Sequence, residues 1–540
     1  MKSKLKLIGI AVVIAMFGFS MTGCPTDVAD TGTFRVRITD IPLSYFNVAN
    51  GPTGRFEIGL FPARQAPSME NLIGGSDMWG SSDFSGTALN SGWIEFYFYY
   101  IGGDRIIGPS GNYDIGIQMF GPGNTLRYVG VLINVRLEVD RVNTVSFTTF
   151  GPPQPPEGTL AEQLAWLRTN AQSGGNHTIT ISRDESLTPA QAELPSGRNN
   201  LTITLRGDGT IRTVSLAENG SLFDVDSGVT LVLDNNVTLR GRTGNDNSLI
   251  HVRTGGTLVM NTGAIITGNT ETSTVNTWGG GVMLWDGGTF TMNGGEITNN
   301  SANAGGGVQA QGTFVMRGGT ISDNTARTAG GGVNAARGVF VIHNGTISGN
   351  TATGPSLVAA GGVLVGGDGI FTMYNGRIFD NTAHSSAAGA WGGGISVGGT
   401  FTMHGGEIFD NTATGTTWGQ AGGVLVNSYA GGLFDMRDGV ISGNVTVSNG
   451  VGWANGGGVF VCGYNAVGGT FLMSGGAILY DNVIRHTGNM SGSNVALTVG
   501  THGANSATAQ FGTIIGDSFS RRGDLTTTNS TVRVVNGVLQ

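Results

Sequence analysis

Two aspartates in the same short sequence are the first candidates for chemistry in this chain. Asp380 and Asp410 each stand in Ile-Phe-Asp-Asn, and 30 residues separate them. If a repeat brings their carboxylates together, the pair can share a proton or bind calcium, as a hydrolase or a lyase requires. Glycine holds the equivalent position at Gly349 and Gly443. This favours the alternative, in which both aspartates are turn residues.

Tryptophans are the second group of candidates, and they point to binding. Four of the eight tryptophans come shortly before a glycine run: Trp278, Trp391, Trp418 and Trp453. If they stack on successive coils, their indoles form an aromatic face for sugar rings or for the side chains of a partner. The alternative, which we favour, is that each indole folds over its own glycine run and seals a loop.

The histidines and Cys462 offer less chemistry. His343 and His404 share a repeat position, but Tyr374 lies between them. Alternate strands of a stack are about 9.6 Å apart, too far for two histidines to share a metal. Cys462 follows Val-Phe-Val, which indicates a packing residue at a strand end. We therefore expect no catalytic residue, no metal and no cofactor.

Composition and charge narrow the class of protein. The chain has 540 residues, of which 95 are glycine, and only 12% are charged. Its formal net charge is −8, and its only lysines are Lys2, Lys4 and Lys6. Nucleic acids and anionic membrane surfaces bind clusters of lysine and arginine, so we expect neither as a partner of the folded chain. The glycine runs precede strands and not helices, which excludes a nucleotide-binding loop.

The N-terminus has the layout of an export signal. Three lysines precede an apolar run from Leu7 to Phe19, and Met21-Thr22-Gly23-Cys24 follows. The run is shorter than the about 20 residues that a membrane-spanning helix needs, so residues 1–23 are predicted to be a signal peptide. The last four residues resemble a bacterial lipobox, with methionine where leucine is usual, as in spirochaete lipoproteins. This resemblance implies a lipid anchor on Cys24, a tether over residues 24–30, and export to the outer membrane or cell surface.

Three segments precede the repeats. Apolar residues alternate in short runs over residues 31–150, which predicts a small antiparallel β-sandwich. Residues 151–158 are rich in proline and form a predicted linker. In residues 159–199, Thr159 and Glu162 have the spacing of a capping box, and Leu160, Leu164 and Leu167 share one face. We expect a helix here that caps the first coil, followed by irregular strands.

Residues 200–482 consist of repeats with one apolar pattern. Each unit has Phe-x-Met, or Phe-x-Ile once, then an isoleucine five residues later and then an asparagine. The distance from phenylalanine to asparagine is ten residues, or eleven in the last unit. The seven clear units carry these phenylalanines, isoleucines and asparagines: Phe290, Phe314, Phe340, Phe371, Phe401, Phe434, Phe471; Ile297, Ile321, Ile347, Ile378, Ile408, Ile441, Ile478; and Asn300, Asn324, Asn350, Asn381, Asn411, Asn444, Asn482.

This pattern predicts a coil of three short parallel strands per unit. Apolar residues two apart point the same way only in a strand, so equivalent residues form ladders at about 4.8 Å per coil. We expect phenylalanine, methionine and isoleucine ladders inside, an asparagine ladder at a bend, and a surface ion pair between Arg377 and Glu407. The spacing between units varies, which predicts a tolerant loop at Thr412 to Thr417. Residues 483–540 lose the pattern and form a predicted C-terminal cap.

The motif Gly-Gly-Gly-Val followed by Gly-Thr-Phe-Thr-Met-x-Gly-Gly-x-Ile-x-x-Asn-Thr resembles the right-handed parallel β-helix repeat of bacterial surface proteins, most closely treponeme-type lipoproteins. The resemblance covers residues 200–482 and implies the handedness and an adhesin-like role. It favours non-catalytic binding to a glycan or to a host or matrix surface. Two alternatives stay open, a polysaccharide lyase or glycoside hydrolase of the same fold and a structural surface coat.

Overall fold

The computed structural model describes residues 158–273, 279–427, 431–450, 454–463 and 469–486, together with residue 155 and the backbone of single strands elsewhere. The predicted signal peptide, Cys24 and the tether lie outside the described residues, as do Trp278 and Trp453. The chain divides into two compact units. The first consists of Met1–Gly158 and Thr169–His177, and the second of Thr159–Arg168 and Thr178–Gln540. Among the described residues, no helix is long and apolar enough to cross a membrane.

The first unit contains seven strands in two sheets. One sheet has three strands and the other has four. The strands are Thr33–Thr39, Gly54–Pro62, Met78–Phe84, Trp93–Tyr99, Gly111–Gly121, Thr125–Leu137 and Val142–Ser146. The side chains here are not among the described ones, so the sandwich stays a prediction.

The predicted helix is present as α1, Leu160–Asn170. The Thr159 backbone N–H donates to Glu162 Oε2 at 2.8 Å, and the Glu162 N–H donates to Thr159 Oγ1 at 3.1 Å. This reciprocal pair is the capping box, and it satisfies backbone donors that a helix start leaves open. Leu160, Leu164 and Leu167 are buried as expected. The role of α1 as a cap stays a prediction.

The repeats form a parallel β-solenoid of about nine turns. Each coil contributes one strand to each of three long parallel sheets, which are named here by what they carry. The Phe-Met sheet consists of Asn176–Ile181, Leu201–Gly207, Val229–Leu233, Thr257–Met260, Thr289–Met292, Thr313–Met316, Val339–Ile342, Ile370–Met373, Thr400–Met403, Leu433–Met436, Thr470–Met473 and Thr508–Phe511.

The other two sheets take the next two strands of each coil. The Ile sheet consists of Glu185–Leu187, Arg212–Leu216, Val237–Arg240, Ile265–Thr267, Glu296–Thr298, Thr320–Ser322, Thr346–Ser348, Arg377–Phe379, Glu407–Phe409, Val440–Ser442 and Ile478–Tyr480. The glycine-run sheet consists of Phe223–Val225, Ile250–Val252, Val282–Leu284, Val308–Ala310, Val333–Ala335, Val363–Val365, Ile395–Val397, Val424–Val426, Val459–Gly463, Leu497–Thr501 and Leu525–Thr528.

The predicted ladders are confirmed. Phe371 lies opposite Phe401, and Met373 lies opposite Met403. Successive phenylalanine rings from Phe290 to Phe471 stack with centroids 4.6–5.0 Å apart, and all are fully buried. Burial of apolar surface such as these rings is the main favourable contribution to folding. Each ring is covered by the rings of the neighbouring coils, so the coils stabilise one another.

The asparagine ladder is also confirmed, and its bonds explain why asparagine recurs. The Asn381 Nδ2 group donates to Asn411 Oδ1 at 2.9 Å and to the backbone oxygens of Ile347 and Phe379. Asn381 Oδ1 in turn accepts from the Asn350 backbone N–H. An amide side chain has both donors and acceptors, so it satisfies backbone groups that the bend would otherwise bury unpaired.

One ladder residue was predicted wrongly. Leu479, and not Ile478, lies opposite Ile441, while Ile478 lies opposite Val440 and is 37% exposed. The last unit has one extra residue between Met473 and the asparagine. Because strand side chains alternate, a shift of one residue exchanges the inward and outward faces.

The predicted loop at Thr412 to Thr417 was also wrong, because most of it is strand. The chain between the asparagine and the glycine run forms a fourth sheet, the arm sheet, and Ala413 in it is fully buried. The arm sheet consists of Ser301–Ala304, Thr325–Ala329, Thr351–Gly354, Val358–Ala359, Thr382–Ser385, Gly389–Trp391, Thr412–Gly415, Trp418–Gln420, Val445–Ser448, Ala454–Asn455, Val483–His486 and Ser493–Asn494. Val534–Val535 and Val538–Leu539 form a separate antiparallel pair.

The glycine runs lie where neighbouring coils approach too closely for a side chain. A Cβ placed on Gly393 would lie 2.4 Å from the Thr412 carbonyl carbon and 2.5 Å from the Gly422 oxygen. No side chain fits at such a distance. The segment that leads into the glycine-run sheet must therefore have glycine where it passes the arm-sheet strand that begins at Thr412.

Candidate functional site

The structure places Asp380 and Asp410 at the turn that precedes the asparagine ladder. Both backbones have a φ of 53°, in the left-handed region, and Gly349 and Gly443 share this conformation. Only glycine, asparagine and aspartate adopt it readily, which accounts for the residues seen in this column. Partial burial and the neighbouring Asp410 carboxylate raise the pKa of Asp380. Among the described residues, no group of three or more histidine, cysteine or acidic side chains could hold a metal ion.

The two described tryptophans of the predicted aromatic face occupy different columns. Trp391 lies opposite Gln420, whereas Trp418 lies opposite Gly389. Trp391 is partly buried and packs against a cluster that contains Leu425 and Phe460. Trp418 is 42% exposed. The arms differ in length between coils, and this displaces the two indoles by two residues along the strand.

Cys462 belongs to the same cluster and is buried. Burial raises the pKa of its thiol to about 12. A thiol with such a pKa is not ionised near neutral pH, and only the thiolate is an effective nucleophile. The geometry is that of a packing residue, as the sequence indicated.

A row of five side chains that the sequence did not single out as a site lies on the outside of the solenoid. It follows the inward methionine or isoleucine of five consecutive coils and is called here the donor row: Arg317, His343, Tyr374, His404 and Arg437. The backbone N–H of each residue donates to the carbonyl oxygen of that inward residue one coil earlier, which fixes the column. The His343, Tyr374 and His404 rings stack with centroids 5.0 and 4.9 Å apart. Tyr374 is 48% exposed.

Beside the donor row runs a groove of about 720 Å³ that crosses five coils. Its lining consists of glycines, of polar side chains including Asn344, Asn375 and Arg377, and of Val440. A Cβ on Gly406 would lie 2.6 Å from Met373 Cε and 2.7 Å from the Gly376 oxygen. The groove therefore exists because each coil has glycine at this turn.

The far wall of the groove carries the predicted ion pair. Arg377 Nε lies 2.9 Å from Glu407 Oε2 on the next coil, which confirms the pair. Beyond it, the Phe379 and Phe409 rings stack at 4.7 Å on the same two coils. An exposed pair contributes little to stability, about 0–1 kcal/mol. Its main effect here is to neutralise Glu407 at the edge of the groove.

A second groove of about 580 Å³ lies near the first coils, beside Trp285 and Arg253. Arg253 Nη2 lies 2.8 Å from Asp224 Oδ1, and its Nε lies 3.7 Å from Asp226 Oδ1. The two aspartates compensate the positive charge of Arg253. Arg253 therefore does not make this groove attractive to an anionic ligand.

The chain matches no protein family, no curated protein and no solved structure. The case for a function therefore rests on the geometry of the solenoid.

Proposed function

We propose that the solenoid is a non-catalytic binding surface for an extended glycan, which lies in the groove beside the donor row. The observation that carries this proposal is the continuity of the groove across five coils. Each coil repeats a hydrogen-bonding position at the spacing of parallel strands, about 4.8 Å. An extended polymer with many hydroxyl groups suits such a regular polar track.

The polar lining supports a glycan ligand over an apolar one. Asn344 and Asn375 supply both amide donors and acceptors, and Thr320 and Thr346 add hydroxyl groups. Sugar hydroxyl groups also donate and accept, so both partners can replace the hydrogen bonds to water that binding removes.

We expect Tyr374→Ala to weaken retention on an immobilised glycan by about tenfold, because it opens the centre of the ring stack and removes a hydroxyl group. Tyr374→Phe keeps the stack and loses one hydrogen bond of about 1 kcal/mol, so its loss is about fivefold. Affinity electrophoresis of the full-length chain in polysaccharide gels measures both variants.

Trp418→Ala serves as the comparison, because Trp418 is also exposed but lies on the arm sheet. If the glycan binds in the groove, this variant should be retained on the glycan almost as well as the unchanged protein. Loss of retention in Trp418→Ala with none in Tyr374→Ala would move the binding surface to the arm sheet and contradict the proposal.

The enzyme alternative is tested by the products. A lyase would release unsaturated sugars and a hydrolase would release new reducing ends, whereas a binding protein releases neither. The exposed Asp380 and Asp410 pair is the place to mutate if products appear. A structural coat protein would show neither products nor retention on any glycan.

We further propose that the protein is displayed on the bacterial surface through lipid on Cys24. Several acyl chains at about 0.8 kcal/mol per buried CH₂ give a stable anchor.

Cys24→Ser is therefore expected to move the protein from the detergent phase to the aqueous phase on phase separation. Cys462→Ser is the matched control, because that thiol is buried in the solenoid, and it should stay in the detergent phase. Detergent-phase retention of Cys24→Ser would contradict the anchor.

A further inference from the structure

We propose that the ligand of the groove is an acidic glycan, whose carboxylate or sulfate groups are bound by the donor row. This inference rests on the proposed function and specifies the class of its ligand. It follows from the orientation of the stacked rings, from the two arginines at the ends of the row and from the charges of the surrounding surface.

The stacked rings present their edges, and not their faces, to a ligand. His343 and Tyr374 are parallel to within 3°, and Tyr374 and His404 to within 12°. Each Tyr374 face is therefore covered by an imidazole ring, and a sugar has no free tyrosine face on which to stack. The edge of an aromatic ring is its positive side, and the imidazole N–H and phenol O–H are hydrogen-bond donors. The row thus offers donors at about 5 Å intervals.

Arginines continue the row at both ends. Arg317 is exposed and has no acidic partner within 4 Å in the part of the chain that the structure describes. Arg437 Nη2 lies 2.8 Å from Asp435 Oδ2, which compensates part of its charge. A guanidinium group has five hydrogen-bond donors and no acceptor. It therefore binds carboxylate and sulfate oxygens, and it cannot accept a hydrogen bond from a ligand.

The surrounding surface is poor in acids although the chain as a whole is acidic. The chain has 36 acidic residues and a net charge of −8. On the described Phe-Met strands from Thr289 to Arg437, and at the row position after them, Asp435 is the only outward-facing acid. In the groove, Glu407 pairs with Arg377. Asp438 accepts a hydrogen bond from the Gly439 N–H at 2.7 Å and keeps its negative charge at one end of the groove. A polyanion can therefore approach the row and meet one carboxylate, Asp438, that has no cationic partner among the described residues, and not a column of them.

Three polymers test the inference on the full-length protein: polygalacturonate carries carboxylates, dextran sulfate carries sulfates, and dextran is neutral. We expect retention by at least one acidic polymer, with dextran at least about tenfold weaker. Retention should fall as salt rises from 20 to about 300 mM, because the Debye length shortens to well under 10 Å. The two acidic probes separately show whether carboxylate or sulfate is the preferred group.

A variant with Arg317→Gln, His343→Gln, His404→Gln and Arg437→Gln removes the charged and imidazole donors of the row and leaves Tyr374. All four side chains lie on the surface, so the melting temperature should change little. We expect acidic-polymer retention to fall by about 30-fold. The control combines Arg240→Gln on the Ile sheet with His384→Gln on the arm sheet, and it should retain the polymer normally.

The outcomes separate this inference from the proposed function. If dextran binds as tightly as the acidic polymers and Tyr374→Ala releases it, the glycan groove stands and the acidic class is wrong. If no polymer binds, both are wrong. Equal losses in the fourfold variant and its control, or equally tight binding of single-stranded DNA, would also overturn the acidic-glycan inference.

Discussion

Replacing Phe401 with alanine is expected to lower the free energy of unfolding by about 3–5 kcal/mol. The side chain is fully buried, and its ring stacks on Phe371 and on Phe434 with centroids 4.6 Å away on each side. Its removal opens a cavity and interrupts the phenylalanine ladder in the middle of the solenoid. Urea unfolding followed by circular dichroism measures the loss.

Thr402→Ala is the matched control, since Thr402 is the next residue and points outward from the same strand. A surface change of this kind costs less than about 0.5 kcal/mol. Solenoids can unfold coil by coil, so hydrogen exchange of the Phe-Met strands should show that the weakened coils are those next to Phe401. Equal losses in the two variants would contradict the ladder as a source of stability.

Asn381→Leu is expected to cost about 3–5 kcal/mol, although leucine has the same branching as asparagine and is apolar. The change leaves the Asn350 N–H without the Asn381 oxygen, and it removes the donor to the oxygens of Ile347 and Phe379. Each buried group that loses its partner costs about 1–3 kcal/mol. The unpaired backbone groups are sufficient to account for the expected loss.

Asp380→Asn is the control for this second prediction. Asp380 precedes Asn381 and is exposed, and Asn299 already adopts the same left-handed turn in an earlier coil. We expect a change within about 0.5 kcal/mol. A loss for Asn381→Leu that is no larger than for Asp380→Asn would show that the ladder amides are replaceable.

The inside of the solenoid could be predicted from sequence because the same buried residue types recur from coil to coil. Each of the seven clear units buries one phenylalanine and one ladder asparagine, and the two are ten residues apart in all but the last unit, so the register follows from alignment. Ile478 shows the limit of this reasoning, because one inserted residue moved Leu479 to the inward position. The alignment matched residue types, whereas the strand alternates faces residue by residue.

The outside could be predicted less well, because no single residue type occupies the same outward position on every coil. The donor row has arginine, histidine and tyrosine at one position, and this mixture forms no consensus. The sequence shows that His343, Tyr374 and His404 share one repeat position, but their stacking into a row becomes evident only from the ring geometry. The tryptophans show the opposite error, because a shared position before the glycine run did not place Trp391 and Trp418 in one column.

An experimental structure of the full-length protein with an acidic oligosaccharide bound is the most direct test of glycan binding beside the donor row. We predict that the sugar chain runs parallel to the solenoid axis beside the donor row, between the coils of Arg317 and Arg437. Its anionic groups should lie within hydrogen-bond distance of the Tyr374 hydroxyl and of the imidazole nitrogens of His343 or His404. An oligosaccharide bound against Trp418 on the arm sheet, with the groove empty, would show that the donor row is not the binding surface.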